Sequence, residues 1–198
     1  MTRPLLDVYN DYDSFCTKLT QKLSVYAKFS SFGSSLMIER LFELLFMHFE
    51  SLIEEIFISY ALGNPSISGS VVNRTIMLTK EEDIIRLYSG GKDYPDWTKW
   101  DFILSCSKLF FNPSPFECLA NYMSILNELK TIRNGLAHIS GTAKKKYESL
   151  VRNRMGYYPT AGMKISSFLM TNIATGRPKT YFQEYIDTTR IVAQLVCT

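Results

Sequence analysis

Apolar residues recur at steps of three and four along most of this chain, and each such stretch predicts a helix burying one broad face. Leu5, Val8, Tyr12, Phe15, Leu19, Leu23, Tyr26 and Phe29 or Ser30 mark the first, over residues 3–31, with Gly33 and its serine neighbours as the break. Residues 35–62 form the second, apolar on more than one side, with Glu39, Arg40, Glu43, His48, Glu50, Glu54 and Glu55 as its polar remainder. A helix that oily belongs in the centre of the fold, and that many charges rule out a membrane span. His48, beside Phe46 and Phe49 and with no ligand-spaced carboxylate or Cys, reads as a structural histidine. Gly63-Asn64-Pro65 stops the helix.

Periodicity weakens over residues 66–111. Val71, Val72, Ile76 and Met77 read as a brief strand or as a loop over the bundle. Residues 81–88 make a short helix capped by Thr79 and ended by Gly90-Gly91, and residues 96–110 make another after the turn at Pro95. Trp97 and Trp100, three apart, read as core anchors rather than as a base-stacking platform. The best-defined element covers residues 114–141. Ser114 caps it, Pro115 suits its first position, Glu117 completes a capping box, and Gly141 closes it. Phe116, Leu119, Met123, Leu126, Leu129, Ile132, Leu136 and Ile139 line its buried face. A short helix follows to Arg154, then turn-and-strand character with residues 164–170 in the arms of a small hairpin, then a closing helix over residues 181–196. The expected fold is all-α: one domain over residues 1–198, a bundle of about four to six helices with a small β-hairpin.

A hydrophobic content of 46%, with 14% aromatic, argues against disorder. Four scattered cysteines without a C-x-x-C pair suggest neither zinc nor a disulfide framework, but idle thiols in a reducing cytoplasm. Asp7, Asp11 and Asp13 interrupt the N-terminus where a secretory signal would be apolar. No apolar run approaches the ~20 residues of a membrane span. Charge is uneven. Residues 1–129 hold 11 Lys/Arg against 16 Asp/Glu, whereas residues 130–198 hold 11 against three. The positive half, densest at Lys144, Lys145, Lys146, Arg152 and Arg154, is where a phosphate backbone would be held.

The same half carries the candidate chemistry. Near the end of the 114–141 helix, Asn127, Thr131, Asn134 and His138 fall within roughly 60° of one another, a polar stripe beside the apolar face. Arg133 projects from the apolar side, near Leu126 and Leu129, where a guanidinium needs a partner or a route to water. Arg133 and His138, five apart, point about 140° away from each other on a straight helix. Either the Arg curls back to the imidazole, or a second copy of the helix lies alongside and two chains build one site; the second arrangement is favoured.

Thr131–His138, TIRNGLAH, resembles the R-x4-6-H signature of HEPN domains: Arg133, a polar Asn134 directly after it, then His138 after four intervening positions. The detailed likeness covers about 30 residues, and the flavour is that of the defence-associated RiboL-PSP-HEPN group. The resemblance implies a small all-α bundle whose protomers pair as a homodimer to form a metal-independent ribonuclease site. It also implies a toxin or phage-defence role, with an antitoxin or defence-system partner, and products ending in a 2′,3′-cyclic phosphate and a 5′-hydroxyl. His138 would act as acid or base, Arg133 would hold the phosphate oxygens, and Asn134 would orient the ring or the phosphate. No Asp/Glu cluster of the metal-nuclease kind lies near them, so no metal or other cofactor is implied. Nucleotidyltransferase-controlled members often show R-x4-H-x-Y; Ser140 stands at the tyrosine position, which argues against that scheme. Two other readings stand beside the nuclease. One is a non-catalytic HEPN bundle that binds RNA or nucleotide, or dimerises within a defence complex. The other is a plain helical adaptor, in which Arg133 pairs with Glu50 or Glu54 and His138 merely caps its helix.

Overall fold

A computed structural model describes residues 3–29, 31–90, 95–138, 140–174 and 178–198. The chain is all-helical. Its elements are α1 (Leu5–Tyr26), α2 (Phe32–Ala61), α3 (Glu81–Ser89), α4 (Trp100–Phe110), α5 (Leu119–Ala137), α6 (Gly141–Met155), α7 (Ile165–Leu169) and α8 (Tyr181–Cys197). Eight helices among the described residues exceed the expected four to six; one of them, α7, stands where a hairpin arm was expected. Among the described residues no helix is long and apolar enough to cross a membrane.

Several boundaries differ from expectation for identifiable reasons. Gly33 lies inside α2, because the Ser31 hydroxyl accepts the Ser34 N–H at 3.1 Å and caps the helix earlier. At the start of α3, Lys80 rather than Thr79 is the capping position, and its side chain makes no cap bond. Gly90 ends that helix in the left-handed conformation, as expected, while Gly91 lies outside the described residues. The Asp96 carboxylate accepts the Thr98 N–H at 3.0 Å, so the chain turns there and α4 begins only at Trp100.

Among the described residues the expected hairpin arms over residues 164–170 do not form. Residues 165–169 form α7, since Ile165, Phe168 and Leu169 are spaced for a helix and Glu39 Oε1 accepts the Ser166 N–H at 3.2 Å. Bridge pairing among the described residues is limited to two isolated bridges, Asn172 with Thr180 and Arg74 with Phe111; residues 175–177 lie outside them. Residues 71–77 run as a loop, the second of the two readings offered for them, with Arg74 of the second bridge as the one bridge-paired residue among them.

The chain divides into two compact units. One comprises Met1–Ser14, His48–Met123 and Thr189–Thr198; the other comprises Phe15–Met47 and Ser124–Thr188. The core of the first is aromatic. Phe57 is fully buried, with the rings of Tyr88, Trp97, Phe110, Phe111 and Phe116 at centroid distances of 5.1–5.4 Å. Trp97 and Trp100 are both buried, as anchors should be. The C-terminus of α2 is satisfied by Arg74, which donates to the Ala61 carbonyl at 3.0 Å across Gly63. A Cβ on Gly63, whose φ is +91°, would meet that guanidinium at 2.7 Å. In the second unit Phe42 packs edge-on against Phe182 and Tyr185, and Phe168 stacks on Tyr181 at 4.6 Å. Buried residues of α2 lie in both units, Ile38 to Phe46 in the second and Phe49 to Ala61 in the first, which explains its apolar circumference.

Three thiols are inert for a plain reason: burial pushes Cys106 and Cys118 up to about 11 and Cys197 up to about 12. Glu54 is the carboxyl to watch. Burial, and then the like charge of Glu81, raise its pKa above the ordinary 4.5. The folded chain therefore holds this proton at pH values where the unfolded chain has released it, so stability falls as pH rises from about 4.5 through the folded value. Glu54→Gln is expected to raise the melting temperature at pH 7 and to leave it nearly unchanged at pH 4; an equal shift at both would contradict this.

Candidate functional site

The α5 helix does not run as the sequence suggested. Its entry, residues 114–118, is a run of tight turns in which Leu119 N–H bonds the Phe116 carbonyl and Ala120 N–H that of Glu117, at 3.0 and 3.1 Å. Ser114 does cap, but it accepts from Phe116 N–H at 3.1 Å and donates to the buried Ser107 hydroxyl at 2.7 Å. Glu117 stays exposed and forms no capping-box bond among the described residues. At the other end Gly141 is not the C-cap. It opens α6, where Ser140 is the N-cap and accepts the Ala143 N–H at 3.3 Å. Ile139 lies outside the described residues.

This break places the candidate residues. Arg133 and Asn134 sit in the last turn of α5, while His138 is one residue past its end, its backbone N–H still bonded to the Asn134 carbonyl at 3.0 Å. Arg133 is half-buried, as its place beside the apolar face predicts. Its guanidinium lies 5.8 Å from the centre of the Phe46 ring, and Nη1 donates to Asn134 Oδ1 at 3.2 Å. The ring contacts the guanidinium face and the amide takes one N–H, so further N–H donors of Arg133 have no protein partner among the described residues. The bond from Arg133 goes to an amide rather than to a carboxylate. Asn134, expected to orient the ring or the phosphate, is here tied to Arg133. The His138 side chain is exposed and makes no hydrogen bond among the described residues.

Gly135, between them, has a role that periodicity does not reveal. A Cβ there would meet Ile165 Cδ1 at 3.2 Å and Tyr147 Cβ at 3.7 Å, so its bareness lets α6 and α7 close against the end of α5. A glycine inside a well-formed helix is the sequence signal for such an approach.

The basic segment separates into two kinds of cation. Lys144, Lys145 and Lys146 are exposed on α6, and Arg152 is exposed with its guanidinium 5.6 Å from the Tyr158 ring centre. Arg154 is different. Its Nε donates to Glu128 Oε2 at 2.8 Å, its Nη2 lies 3.2 Å from Glu184, and its guanidinium sits 5.6 Å from the Tyr181 ring. Tyr185 donates to the same Glu128 oxygen at 2.9 Å, and Tyr181 donates to the Arg154 carbonyl at 2.9 Å. Two carboxylates offset this charge, so Arg154 tethers α6 to α5 and α8 and offers little to a polyanion. Glu128→Ala is expected to cost about 2 kcal/mol by orphaning the Arg154 and Tyr185 donors, with Glu128→Gln costing about half as much. Urea unfolding of the two variants checks the order.

Between α5 and α6 a depression of about 370 Å³ is lined by Asn127, Lys130, Thr131, Asn134, Ala143 and Lys146. Three members of the predicted polar stripe thus face one hollow, while Arg133 and His138 are not among its walls. Lys130 and the small Ala143 floor were not singled out in the sequence. Among the described residues, no group of three His, Cys, Asp or Glu side chains is gathered closely enough to hold a metal ion. No protein-family model, no curated protein and no solved structure matches this chain.

Proposed function

We propose that this protein is a metal-independent RNA endonuclease of HEPN type, acting as a toxin or phage-defence effector. The reading rests on one observation: a half-buried guanidinium stands near the end of a helix just before an exposed imidazole, and among the described residues the imidazole and some of the guanidinium N–H donors have no hydrogen-bond partner. Three exposed lysines follow within eight residues of that imidazole.

RNA carries its own nucleophile. The 2′-hydroxyl attacks the adjacent phosphorus, a base takes its proton, the bond to the 5′-oxygen breaks, and an acid protonates that leaving oxygen. Arg133 supplies two donors to the non-bridging oxygens, where charge builds in the phosphorane. One imidazole cannot be base and acid in the same instant. A homodimer that brings two copies of His138 to one phosphodiester supplies both roles, and this is the assembly the proposal requires. Asn134 holds Arg133 in place until a phosphate competes for its donors.

The test is incubation of the purified protein with transfer, messenger and synthetic RNA in EDTA. Internal cuts with 2′,3′-cyclic phosphate and 5′-hydroxyl ends are the expected result. Tight RNA binding and dimerisation without cutting, and no growth arrest on expression, would favour the non-catalytic bundle instead.

A further inference from the structure

We propose that the groove between α5 and α6 is a two-nucleotide binding track that selects single-stranded RNA and sets which dinucleotide step is presented for cutting. The inference rests on the nuclease reading for its second half only. A second depression, of about 310 Å³, adjoins the one described above and shares Asn127, Thr131 and Lys146 with it. It adds Ser124, Glu128, Ser149, Leu150 and Asn153. Each compartment is near the ~300 Å³ lower bound of small-molecule sites, room for one nucleotide. Because they share walls, they form one track.

The lining chemistry fits bases and phosphates rather than an apolar ligand. Ala143 and Leu150, both buried, give a small apolar floor on which a base can lie. Asn127 and Asn153 are exposed amides whose side chains have no partner among the described residues, and the Asn134 Nδ2 group is likewise unpaired. An amide presents a donor and an acceptor side by side, the pattern that matches a base edge. The Thr131 hydroxyl donates to the Asn127 carbonyl at 2.8 Å, which turns its lone pairs outward as acceptors. The Lys146 ammonium stands at both compartments and has no carboxylate partner among the described residues. Glu128 is the one acid in the lining, and its charge is held by Arg154 and Tyr185. A duplex hides its base edges in a stack and keeps them from such amides, whereas an unpaired strand splays them out.

Binding is measured on His138→Ala protein, which separates binding from cutting, using fluorescein-labelled 12-nucleotide single strands of RNA and the matching RNA duplex. Adding Asn127→Ala with Asn153→Ala is expected to weaken single-strand binding roughly tenfold, as loss of base-edge contacts should. Adding Lys146→Ala is expected to lower the slope of log affinity against log salt by about 0.7, one phosphate contact on a single strand. The duplex is expected to bind more weakly than the single strand. Unchanged affinity in both variants, or a duplex that binds as tightly, overturns the track. The two readings fail separately. Groove-dependent binding by a wild-type protein that never cuts would keep the track and remove the nuclease. Cutting with unchanged rate and unchanged step preference in the Asn127→Ala/Asn153→Ala protein would keep the nuclease and remove the track.

Discussion

His138→Ala is expected to abolish RNA cutting, lowering the single-turnover rate by about 10²–10⁴-fold, the range for loss of a general acid or base. The side chain is exposed and makes no bond within the described residues, so its removal carries no structural penalty. The melting temperature should not move. Arg133→Ala should reduce cutting comparably, but by a different route, through loss of donors to the phosphorane. Its guanidinium also rests on Phe46 and holds Asn134, so a small loss of stability accompanies the change. Arg133→Lys separates the two effects. It keeps a cation over the ring but loses the paired donors, and should recover stability without recovering rate. On the nuclease reading both residues act on one transition state, so the double variant should be no slower than the slower single one by more than a small factor. Cutting that persists at wild-type rate in both single variants would remove the nuclease reading altogether.

Phe57→Ala is expected to be the most damaging single truncation for stability, at about 3–5 kcal/mol. Five rings converge on this one side chain, and none of them is on a mobile surface: Trp97, Tyr88, Phe110, Phe111 and Phe116 are all buried. Rings locked by their neighbours cannot collapse into the space left behind, so the cavity term adds to the lost transfer energy. For a chain of this size that corresponds to a fall of roughly 6–20 °C in melting temperature. Phe57→Leu keeps most of the volume and should cost less than half as much. A loss below about 1 kcal/mol for the alanine variant would mean that the cluster relaxes far more freely than its packing implies.

How much of this was legible beforehand depends on the kind of residue involved. The helices α1, α2, α5 and α8 follow from apolar spacing alone, because a face that must leave water repeats at the helical period whatever it packs against. The mistaken elements are those whose fate is decided at a distance. Residues 164–170 resemble a strand until Glu39, far away in the chain, caps Ser166 and turns them into α7. Ser114 and Gly141 carry the residue types of a helix start and stop, but Ser107 takes the first into a turn and Ser140 makes the second the opening of another helix. At the candidate site the stripe of Asn127, Thr131 and Asn134 was visible. Its opposite wall, Lys146, Ser149 and Asn153, recurs at three and seven on α6 and carries meaning only once α6 lies against α5.

By itself the sequence determined that this protein is helical, that residues 130–198 are basic, and that Arg133, Asn134 and His138 follow one another near a helix end. Those properties are local: periodicity, composition and a spacing of five residues. Only tertiary structure decided which charges remain available. Arg154 and Lys146 are both basic residues of α6, yet one is held by Glu128 and Glu184 while the other stands open at a groove. The difference is a matter of which carboxylates the fold brings within reach, and in a chain where Glu128 and Arg154 are 26 residues apart, only packing sets that distance.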